Sequence, residues 1–273
     1  MLRILKAAVF AAVEQAINNE TSVAIAFSGG LDSSLLAQIC KDLGIDVILL
    51  TVGFSESHDI SFSKKIASIM NLPHRVLKLD NECFQKDIDK ICNKVKCNVT
   101  SHIENCIGFF YIGKFAHASG YRTVLTANGC DELFCGYDLF RFAYNKGIAG
   151  LVKLIEEKLE NEFVLIQEVD SVLKGSGVAV KQPFLSSDFI SFAKSVPVDQ
   201  KIKGPNDFVR KHILRQLAVS MEIPPQSAMQ RKKALQYSSL IHRNFCKLYR
   251  ESQSLSDLSH QTTAFINQGS KQA

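Results

Sequence analysis

The sequence has 273 residues, and 46% of them are hydrophobic, which is enough to bury one large core or two small ones. Its formal net charge is +5, and its Lys and Arg residues form no long run. Such a mildly basic chain favours a phosphate-bearing small ligand over a duplex-coating surface, so nucleic acid is not the expected partner. No segment approaches transmembrane length, so no membrane association is expected.

The first residues are predicted to form a helix and not a signal peptide. Apolar residues recur at helical spacing through Met1–Ile17, and Glu14 and Gln15 interrupt the apolar stretch. The eight cysteines include no CxxC pair, which indicates small buried side chains in a protein of the reducing cytoplasm. Cys130 and Cys135 are of separate interest because they flank a motif described below.

A strand, a tight turn and a helix are predicted around Ser28-Gly-Gly-Leu-Asp-Ser-Ser34, which follows the apolar run 23–27. Two adjacent glycines let the backbone amides turn inward, and the new helix adds its unpaired N–H groups and positive dipole end. This arrangement predicts a bed for a phosphate or pyrophosphate group. The loop lacks the lysine of a Walker loop and contains Asp32 instead. Because a carboxylate beside bound phosphates requires an intervening cation, Asp32 is a predicted Mg²⁺ ligand.

Further buried strands are predicted to alternate with helices along the first half of the chain. The strands are expected at 46–52, 74–79 and 123–126, and the helices at 59–70 and 83–118, with a break near 97–101. This alternation predicts an α/β fold, a parallel sheet flanked by helices that binds its ligands at the carboxyl ends of the strands. After residue 126 the strand signal fades, and the second half is predicted to be mostly helical, with helices at 148–160, 161–173, 187–195 and 206–221.

A second acidic motif follows the fourth predicted strand. Asp131 comes a few residues after that strand, as Asp32 does after the first, so a parallel sheet would bring both carboxylates to one rim. A metal shared by the two carboxylates explains such a pair at a phosphate site. Alternatively, Asp131 and Glu132 are acidic first-turn residues that favour a helix N-terminus. The motif alone leaves both interpretations open.

Taken together, the motifs resemble those of the asparagine synthetases. LTANGCDELFCGY is similar to the LSGEGxDELFGGY motif of their synthetase domain, which also occurs in β-lactam synthetase. SGGLDSS matches that family's form of the N-type ATP pyrophosphatase loop. Further matches follow in the family's order between residues 2 and about 240: TVGFSESHD with Val52, Gly53 and Asp59, PFL at 183–185, K..LR at 211–215 and RxK at 231–233.

The resemblance implies an adenine nucleotide alpha hydrolase-like, Rossmann-like domain over residues 1–250. The Ser/Gln/Thr-rich residues 251–273 are expected to form a loose polar tail. The implied activity is that of an AMP-forming amide ligase, which adenylates an acceptor carboxylate with ATP, releases pyrophosphate and transfers the acyl group to ammonia or another amine. Aspartate is the best candidate acceptor, which would place the chain in asparagine biosynthesis.

The resemblance also assigns roles to single residues. The pyrophosphate portion of ATP would be held by Ser28, Gly29, Gly30, Asp32 and Ser33, and Mg²⁺ by Asp32 and Asp131. The adenosine site would be lined by Ala26, Val52, Thr126 and Ala127. Asp131 and Lys233 would be catalytic, and Lys233 would neutralise charge that builds up on phosphate oxygens. The alternative for Arg231, Lys232 and Lys233 is a solvated basic patch, and Lys232 is expected on the surface.

The match fails where the acceptor would bind. Asn128 replaces the carboxylate of the family's GEG segment, and Ala179, Lys181 and Ser186 stand where its Glu, Arg and Asp are expected. An asparagine side chain cannot take a proton from an attacking amine. Relative to the family pattern, the acceptor half of the pocket has therefore lost carboxylates while the ATP half is intact, which leaves the substrate open.

The nitrogen donor is open as well. The chain starts Met1-Leu2 and reaches the predicted phosphate loop almost at once, so we expect no glutaminase domain with a cysteine nucleophile. Nitrogen would then come from free ammonia, an amine substrate or a separate glutaminase subunit. A homodimer is compatible with the sequence.

Two other function classes stay open. A tRNA-modifying ATP pyrophosphatase is suggested by Cys130, Cys135 and the positive charge, although the sequence has no CxxC and no evident RNA-binding appendage. A nucleotide-binding regulatory subunit without full activity is suggested by the departures at Asn128 and Ala179.

Overall fold

The centre of the fold is a five-stranded, fully parallel sheet, seen in a computed structural model that describes residues 1–231 and 235–254. The strands are β1 (Ser22–Ala26), β2 (Asp46–Phe54), β3 (His74–Leu79), β4 (Thr123–Leu125) and β5 (Ala179–Lys181). Their spatial order is β3-β2-β1-β4-β5. The order reverses direction between β1 and β4, and ligands of open parallel sheets bind outside the strand ends at such a switch point.

The helices of the first half connect the strands and cover the sheet. They are α1 (Leu2–Ile17), α2 (Leu31–Asp42), α3 (His58–Met70), α4 (Asn81–Cys92), α5 (Thr100–Ala118) and α6 (Cys130–Leu133). The second half is mostly helical, as predicted, and contains α7 (Leu139–Tyr144), α8 (Gly147–Leu173), α9 (Ser187–Ser195), α10 (His212–Ser220), α11 (Pro225–Ala228), α12 (Leu235–Ser238) and α13 (Ile241–Ser254), with 3-10 turns at Pro183–Leu185 and Val198–Gln200.

Strand alternation divides the core into two. Val23 and Ile25 of β1 belong to a cluster that includes α1, α2 and α10, whereas Ala24 points into a cluster on the opposite face with α5 and α8. Because both faces are covered at the centre of the sheet, β1 and β2 are apolar at nearly every position, which is typical of a parallel sheet. Among the described residues, no helix combines the length and apolarity needed to cross a membrane.

The predicted α/β class is confirmed, with three corrections to single elements. β5 was not predicted because it is a three-residue edge strand, too short to show a periodic pattern. The two helices predicted at 148–160 and 161–173 are one continuous helix, α8. The helix predicted at 206–221 begins only at His212, because Arg210 and Lys211 both adopt left-handed backbone angles, with φ of 52° and 53°.

Two predicted features near the C-terminal end lie partly or wholly outside the residues that the structure describes. Helix α13 continues past residue 251 to Ser254. Residues 255–273 lie outside the described part, so the polar tail stays a prediction. Lys233, the predicted catalytic lysine, lies outside it too, together with its two neighbours.

The turn between β1 and α2 requires glycine at residue 29. Gly29 has a φ of +77°, and a Cβ atom built there would lie 3.2 Å from the Ser63 backbone and 3.1 Å from the Phe62 ring. We expect Gly29→Ala to lower the free energy of unfolding by about 1–3 kcal/mol, because both the backbone angle and the close approach oppose a side chain. Chemical denaturation measures this change.

The matched control is Gly204→Ala. Gly204 does not occupy the left-handed region, and a Cβ atom there would meet nothing within 4 Å. Equal stability of the two variants would contradict the role assigned to Gly29.

Candidate functional site

The loops that follow β1 and β4 meet at the switch point of the sheet. In the first loop the Gly30 amide donates to Ser28 Oγ at 3.3 Å, and the hydroxyl groups of Ser28 and Ser33 lie 3.3 Å apart. Asp32 stands in the first turn of α2. The five residues predicted to hold pyrophosphate thus share one strand-to-helix turn, whose N–H groups face the rim of the sheet.

A buried lysine joins the two predicted metal ligands. Lys211 Nζ lies 2.5 Å from Asp32 Oδ2 and 2.6 Å from Asp131 Oδ1. Burial alone would lower the pKa of Lys211, but the carboxylates of Asp131 and Asp32 outweigh it and raise that pKa. The ammonium group is therefore charged, and it neutralises part of the negative charge at this rim. The resemblance placed this lysine in a motif but gave it no role.

Backbone geometry and a glycine make room for this ion pair. The left-handed angles of Arg210 and Lys211 turn the chain into the site, and Arg210 donates to the Gly136 carbonyl at 3.1 Å. A Cβ atom at Gly136 would lie 1.9 Å from Asp131 Oδ1 and 2.4 Å from Lys211 Cε. Glycine is consequently the only residue type that fits at position 136, beside the Asp131–Lys211 contact.

A small cavity of about 70 Å³ opens beside the glycine turn and is rich in cationic side chains. It is lined by Ser28, Asp32, Arg210, Lys211, Arg215 and Arg231, among others. Arg215 is buried and donates to the carbonyls of Val209 at 2.7 Å and Ala228 at 2.6 Å, so it fixes the two chain segments that border the cavity. The concentration of cations and N–H groups suits a polyanion such as pyrophosphate.

The donor set at this rim fits Mg²⁺. Asp32 and Asp131 supply carboxylate oxygens, the ligands that Mg²⁺ prefers, and both oxygens already lie within 2.6 Å of one cationic nitrogen. The pair therefore favours a positive charge between its members. These two carboxylates are the residues that would hold the ion.

A larger cavity of about 320 Å³ adjoins the first and shares Ser28, Asp32, Ser33 and Asp59 with it. Its lining includes the residues predicted to surround adenosine, namely Ala26, Val52, Thr126 and Ala127. The structure thus brings the predicted adenosine residues together at the edge of the predicted phosphate bed. Their assignment to adenosine stays a prediction.

The far end of the larger cavity lies between α5 and α8 and contains carboxylates. Asn128 Nδ2 donates to Glu162 Oε1 at 2.6 Å, and Thr126 Oγ1 donates to Asn128 Oδ1 at 2.7 Å. Glu132 also lines this end. The family's carboxylate is absent at residue 128, but helix α8 places the carboxylate of Glu162 directly beside Asn128.

Sequence reasoning missed these α8 residues, although a signal existed. The side chains that line the cavity, Lys158, Asn161, Glu162 and Leu165, follow the i, i+3, i+4, i+7 spacing of one helical face. Dividing α8 at residue 160 split this face between two predicted helices. The sequence signal for this cavity-lining face is a set of polar residues within an otherwise apolar helical stripe.

Glu132 forms hydrogen bonds within the motif that contains Asp131. Its two carboxylate oxygens accept hydrogen bonds from the Gly129 amide, at 3.1 Å, and from the Tyr137 hydroxyl group. Burial raises the pKa of Glu132 to about 7, with contributions from the charges of Glu162 and Asp131. Glu132 is thus held in place by its own motif, DELFCGY, and stabilises the loop that carries Asp131.

The other departures from the family pattern lie away from the cavities. Ala179 is exposed on β5 and lines neither cavity. Lys181 bonds to the Ala16 carbonyl at 3.0 Å and to Glu20 at 2.9 Å, next to α1. Ser186 precedes α9. Of the replaced positions, Asn128 is the one that borders the predicted acceptor space.

The thiols that flank the second motif are structural. Cys130 and Cys135 are both buried, with exposed fractions of 1% and 0%. Burial raises the pKa of Cys130 well above its usual value and that of Cys135 to about 12. Burial therefore disfavours both thiols as nucleophiles, and the net positive charge is the other observation that suggested tRNA chemistry.

The raised pKa of Glu132 predicts a pH effect on stability. The folded protein holds a proton on Glu132 up to pH about 7, whereas an unfolded glutamate releases it near 4.5. Stability from this group is therefore present below pH 4.5 and is lost as the pH rises to 7. Between pH 5 and 8 we expect the unfolding free energy of the unaltered protein to fall by about 1–3 kcal/mol more than that of Glu132→Gln.

Urea denaturation at pH 5 and pH 8 measures the change in unfolding free energy for each protein. The variant also loses a hydrogen bond, but this loss is the same at both pH values and does not affect the comparison. Glu160→Gln, at an exposed position of α8, is the matched control and should titrate like the unaltered protein. Parallel pH curves for Glu132→Gln and the unaltered protein would show that Glu132 ionises normally.

Comparison with known proteins places this geometry in a family. The model of the family "Asparagine synthase" matches residues 5–163 and 160–271. The chain is 28% identical over 250 residues to "Putative asparagine synthetase (glutamine-hydrolyzing) 1" of Methanocaldococcus jannaschii, covering 80% of this chain and 46% of that protein. It is 25% identical over 231 residues to the asparagine synthetase (glutamine-hydrolyzing) of Rattus norvegicus, covering 81% of this chain and 40% of that protein.

The chain thus spans less than half the length of these two relatives. Among solved structures, it aligns with the NMN synthetase of Francisella tularensis at a TM-score of 0.48 and 11% identity, over 86% of this chain and 76% of that one. The family model covers nearly the whole sequence and includes both acidic motifs of the site. The chain belongs to the asparagine synthase family.

Proposed function

We propose that this protein is an ATP-dependent, AMP-forming amide ligase that activates a small carboxylate and transfers it to ammonia or another amine. The observation that carries this proposal is the convergence of Asp32 and Asp131 on one buried cation, Lys211. These three side chains lie between the small cation-lined cavity and the larger cavity assigned to adenosine. Membership in the family and the match of both motifs support the same chemistry.

The first half-reaction uses the glycine turn and the cationic cavity. The acceptor carboxylate oxygen attacks the α-phosphorus of ATP, the bond between the α-phosphorus and the bridging oxygen breaks, and pyrophosphate leaves with that oxygen. Ser28, Ser33 and the amides of the turn bind the leaving group through hydrogen bonds. Arg210 and Lys211 face the same cavity and stabilise its growing negative charge.

Asp32 and Asp131 would hold Mg²⁺, which would supply positive charge to offset the phosphate oxygens. The protein holds these two carboxylates close together with Lys211 as their counter-ion. Lys233, in the RxK segment, is the proposed catalytic cation. Its place in the sequence, two residues before α12, supports this role because Leu235 and Gln236 line the larger cavity.

The second half-reaction needs a base near the acyl carbon. An amine that attacks the acyl-adenylate forms the amide bond, releases AMP and gives up a proton. We assign this base to Glu162, which is 6% exposed, borders the larger cavity and accepts a hydrogen bond from Asn128. The oxygens of Glu132 are engaged by the Gly129 amide and the Tyr137 hydroxyl group, so Glu132 suits a positioning role.

The acceptor end carries features that suit a small, polar carboxylate. Lys158 offers a cation, and Asn105 and Asn161 offer amide donors around the same space. Aspartate remains the best single candidate. Ammonia or a partner glutaminase subunit would supply the nitrogen, and the eight thiols suit the reducing cytoplasm.

The decisive experiment is substrate-dependent exchange of labelled pyrophosphate into ATP, screened over amino acids and other small carboxylates. The exchange requires the first half-reaction only, so it needs no knowledge of the nitrogen donor. Products are then identified in a full reaction with ammonia. Formation of ADP and phosphate would contradict the proposal, and ATP binding without exchange for any acceptor would favour a regulatory nucleotide-binding role.

Loss of either acidic residue should abolish activation. We expect Asp32→Asn and Asp131→Asn each to lower the exchange rate at least 100-fold, about 3 kcal/mol, because each leaves Lys211 underpaired and removes a metal ligand. Asp42→Asn is the matched control, since Asp42 stands at the exposed end of the same helix, α2. Exchange that persists in both site variants would rule out the shared metal position.

Glu162→Gln should separate the two halves of the reaction. As a base for the amine, Glu162 is not needed for adenylation, so we expect pyrophosphate exchange within about threefold of normal and amide formation reduced about 100-fold. The reduction should diminish as the pH is raised, because more of the amine is then deprotonated. Equal loss in both half-reactions would indicate that Glu162 only shapes the pocket.

A further inference from the structure

A second group of potential ligand atoms lies outside the ATP site, where α13 packs against α5. Glu104 projects from α5, and His242 and Cys246 project from one face of α13, four residues apart. Glu104 Oε1 is 2.6 Å from His242 Nδ1. Cys246 Sγ lies 3.8 Å and 3.9 Å from the two ring nitrogens of His242.

The three ligand atoms lie within 4.8 Å of one another. Ligands of a tetrahedral zinc ion, bound at about 2.0–2.3 Å, are separated by roughly 3.5 Å. Small side-chain rotations thus convert the observed spacing into that of a metal site. A carboxylate, an imidazole and a thiol also form the mixed oxygen, nitrogen and sulfur set that Zn²⁺ accepts.

The burial of Glu104 favours the binding of a cation by this group. The Glu104 side chain is 2% exposed, and that of His242 is 39% exposed, so one ligand is deep and another faces an entry path. Burial raises the pKa of Glu104, and His242 opposes this effect. A buried carboxylate is costly unless it is paired with a positive charge. A divalent ion would supply that positive charge.

We propose that Glu104, His242 and Cys246 form a site for a divalent transition-metal ion of the Zn²⁺ class, with water as the fourth ligand. Binding breaks the S–H bond of Cys246, whose proton passes to solvent. His242 binds through a ring nitrogen that carries no proton, and no electron is transferred. The ion then bonds to the thiolate sulfur, the imidazole nitrogen and a carboxylate oxygen.

The site would fasten α13 to the body of the protein. Just before α13, Ser238 Oγ donates to Asp59 Oδ2 at 2.8 Å, and the Phe54 amide donates to the Ser239 carbonyl at 3.1 Å. Helix α12, in the same segment, lines the larger cavity. A metal clamp between α5 and α13 would therefore stabilise one wall of the nucleotide site without touching the substrate.

Cobalt(II) is the probe, because a cobalt–thiolate bond absorbs in the near ultraviolet and tetrahedral cobalt absorbs in the visible range. The metal-free protein should bind one equivalent of Co²⁺ with both bands, and Zn²⁺ should displace it. We expect Cys246→Ser to abolish the thiolate band and weaken Co²⁺ binding at least tenfold. Glu104→Gln should weaken binding at least tenfold but keep the band at saturation.

The controls separate this site from the other candidates. Cys83→Ser alters an exposed thiol on α4 and should change nothing, and Asp131→Asn should keep the bands although it disrupts the ATP site. Circular dichroism of the metal-free variants checks that they fold, and Cys246→Ala provides a second test of the thiol. The proposal would be overturned by an absence of stoichiometric Co²⁺ binding. It would also be overturned by bands that survive in Cys246→Ser and disappear in Cys97→Ser.

Discussion

The site depends on the balance of charge among Asp32, Asp131 and Lys211. Two carboxylates side by side would repel each other strongly, and the buried ammonium group of Lys211 would be equally costly alone. Placing the lysine between the carboxylates offsets most of both penalties and holds the acidic groups close together. The three side chains thereby form one compact ion-pair network at the rim of the sheet.

Much of the surrounding architecture serves this ion pair. The switch point of the sheet brings the ends of β1 and β4 together, which places both aspartates at one rim. The left-handed angles at Arg210 and Lys211 then direct a third chain segment into the gap, at a conformational cost of about 1–3 kcal/mol per residue. Arg215 holds that segment through carbonyl hydrogen bonds. A network of buried contacts thus offsets the backbone strain at these two residues.

The sequence predicted those parts of the fold and site that rest on local patterns. The strand-turn-helix units around Asp32 and Asp131 carry glycines and apolar runs whose geometry is fixed within a few residues. The position of Lys211 between the aspartates could not be predicted, because it depends on a contact across 179 residues. Glu162 was missed for a similar reason: its role arises from packing of α8 beside Asn128, and α8 had been divided at that point.

The long-range closure of the site has a consequence for the order of folding. Contacts such as Ser34–Ser227 and Asp59–Ser238 bridge 193 and 179 residues, and they join the first third of the chain to its last third. Chains with such distant pairings fold slowly, and during synthesis the N-terminal strands emerge long before their partners. The rim that carries both aspartates is therefore complete only after the last third of the chain has joined the first.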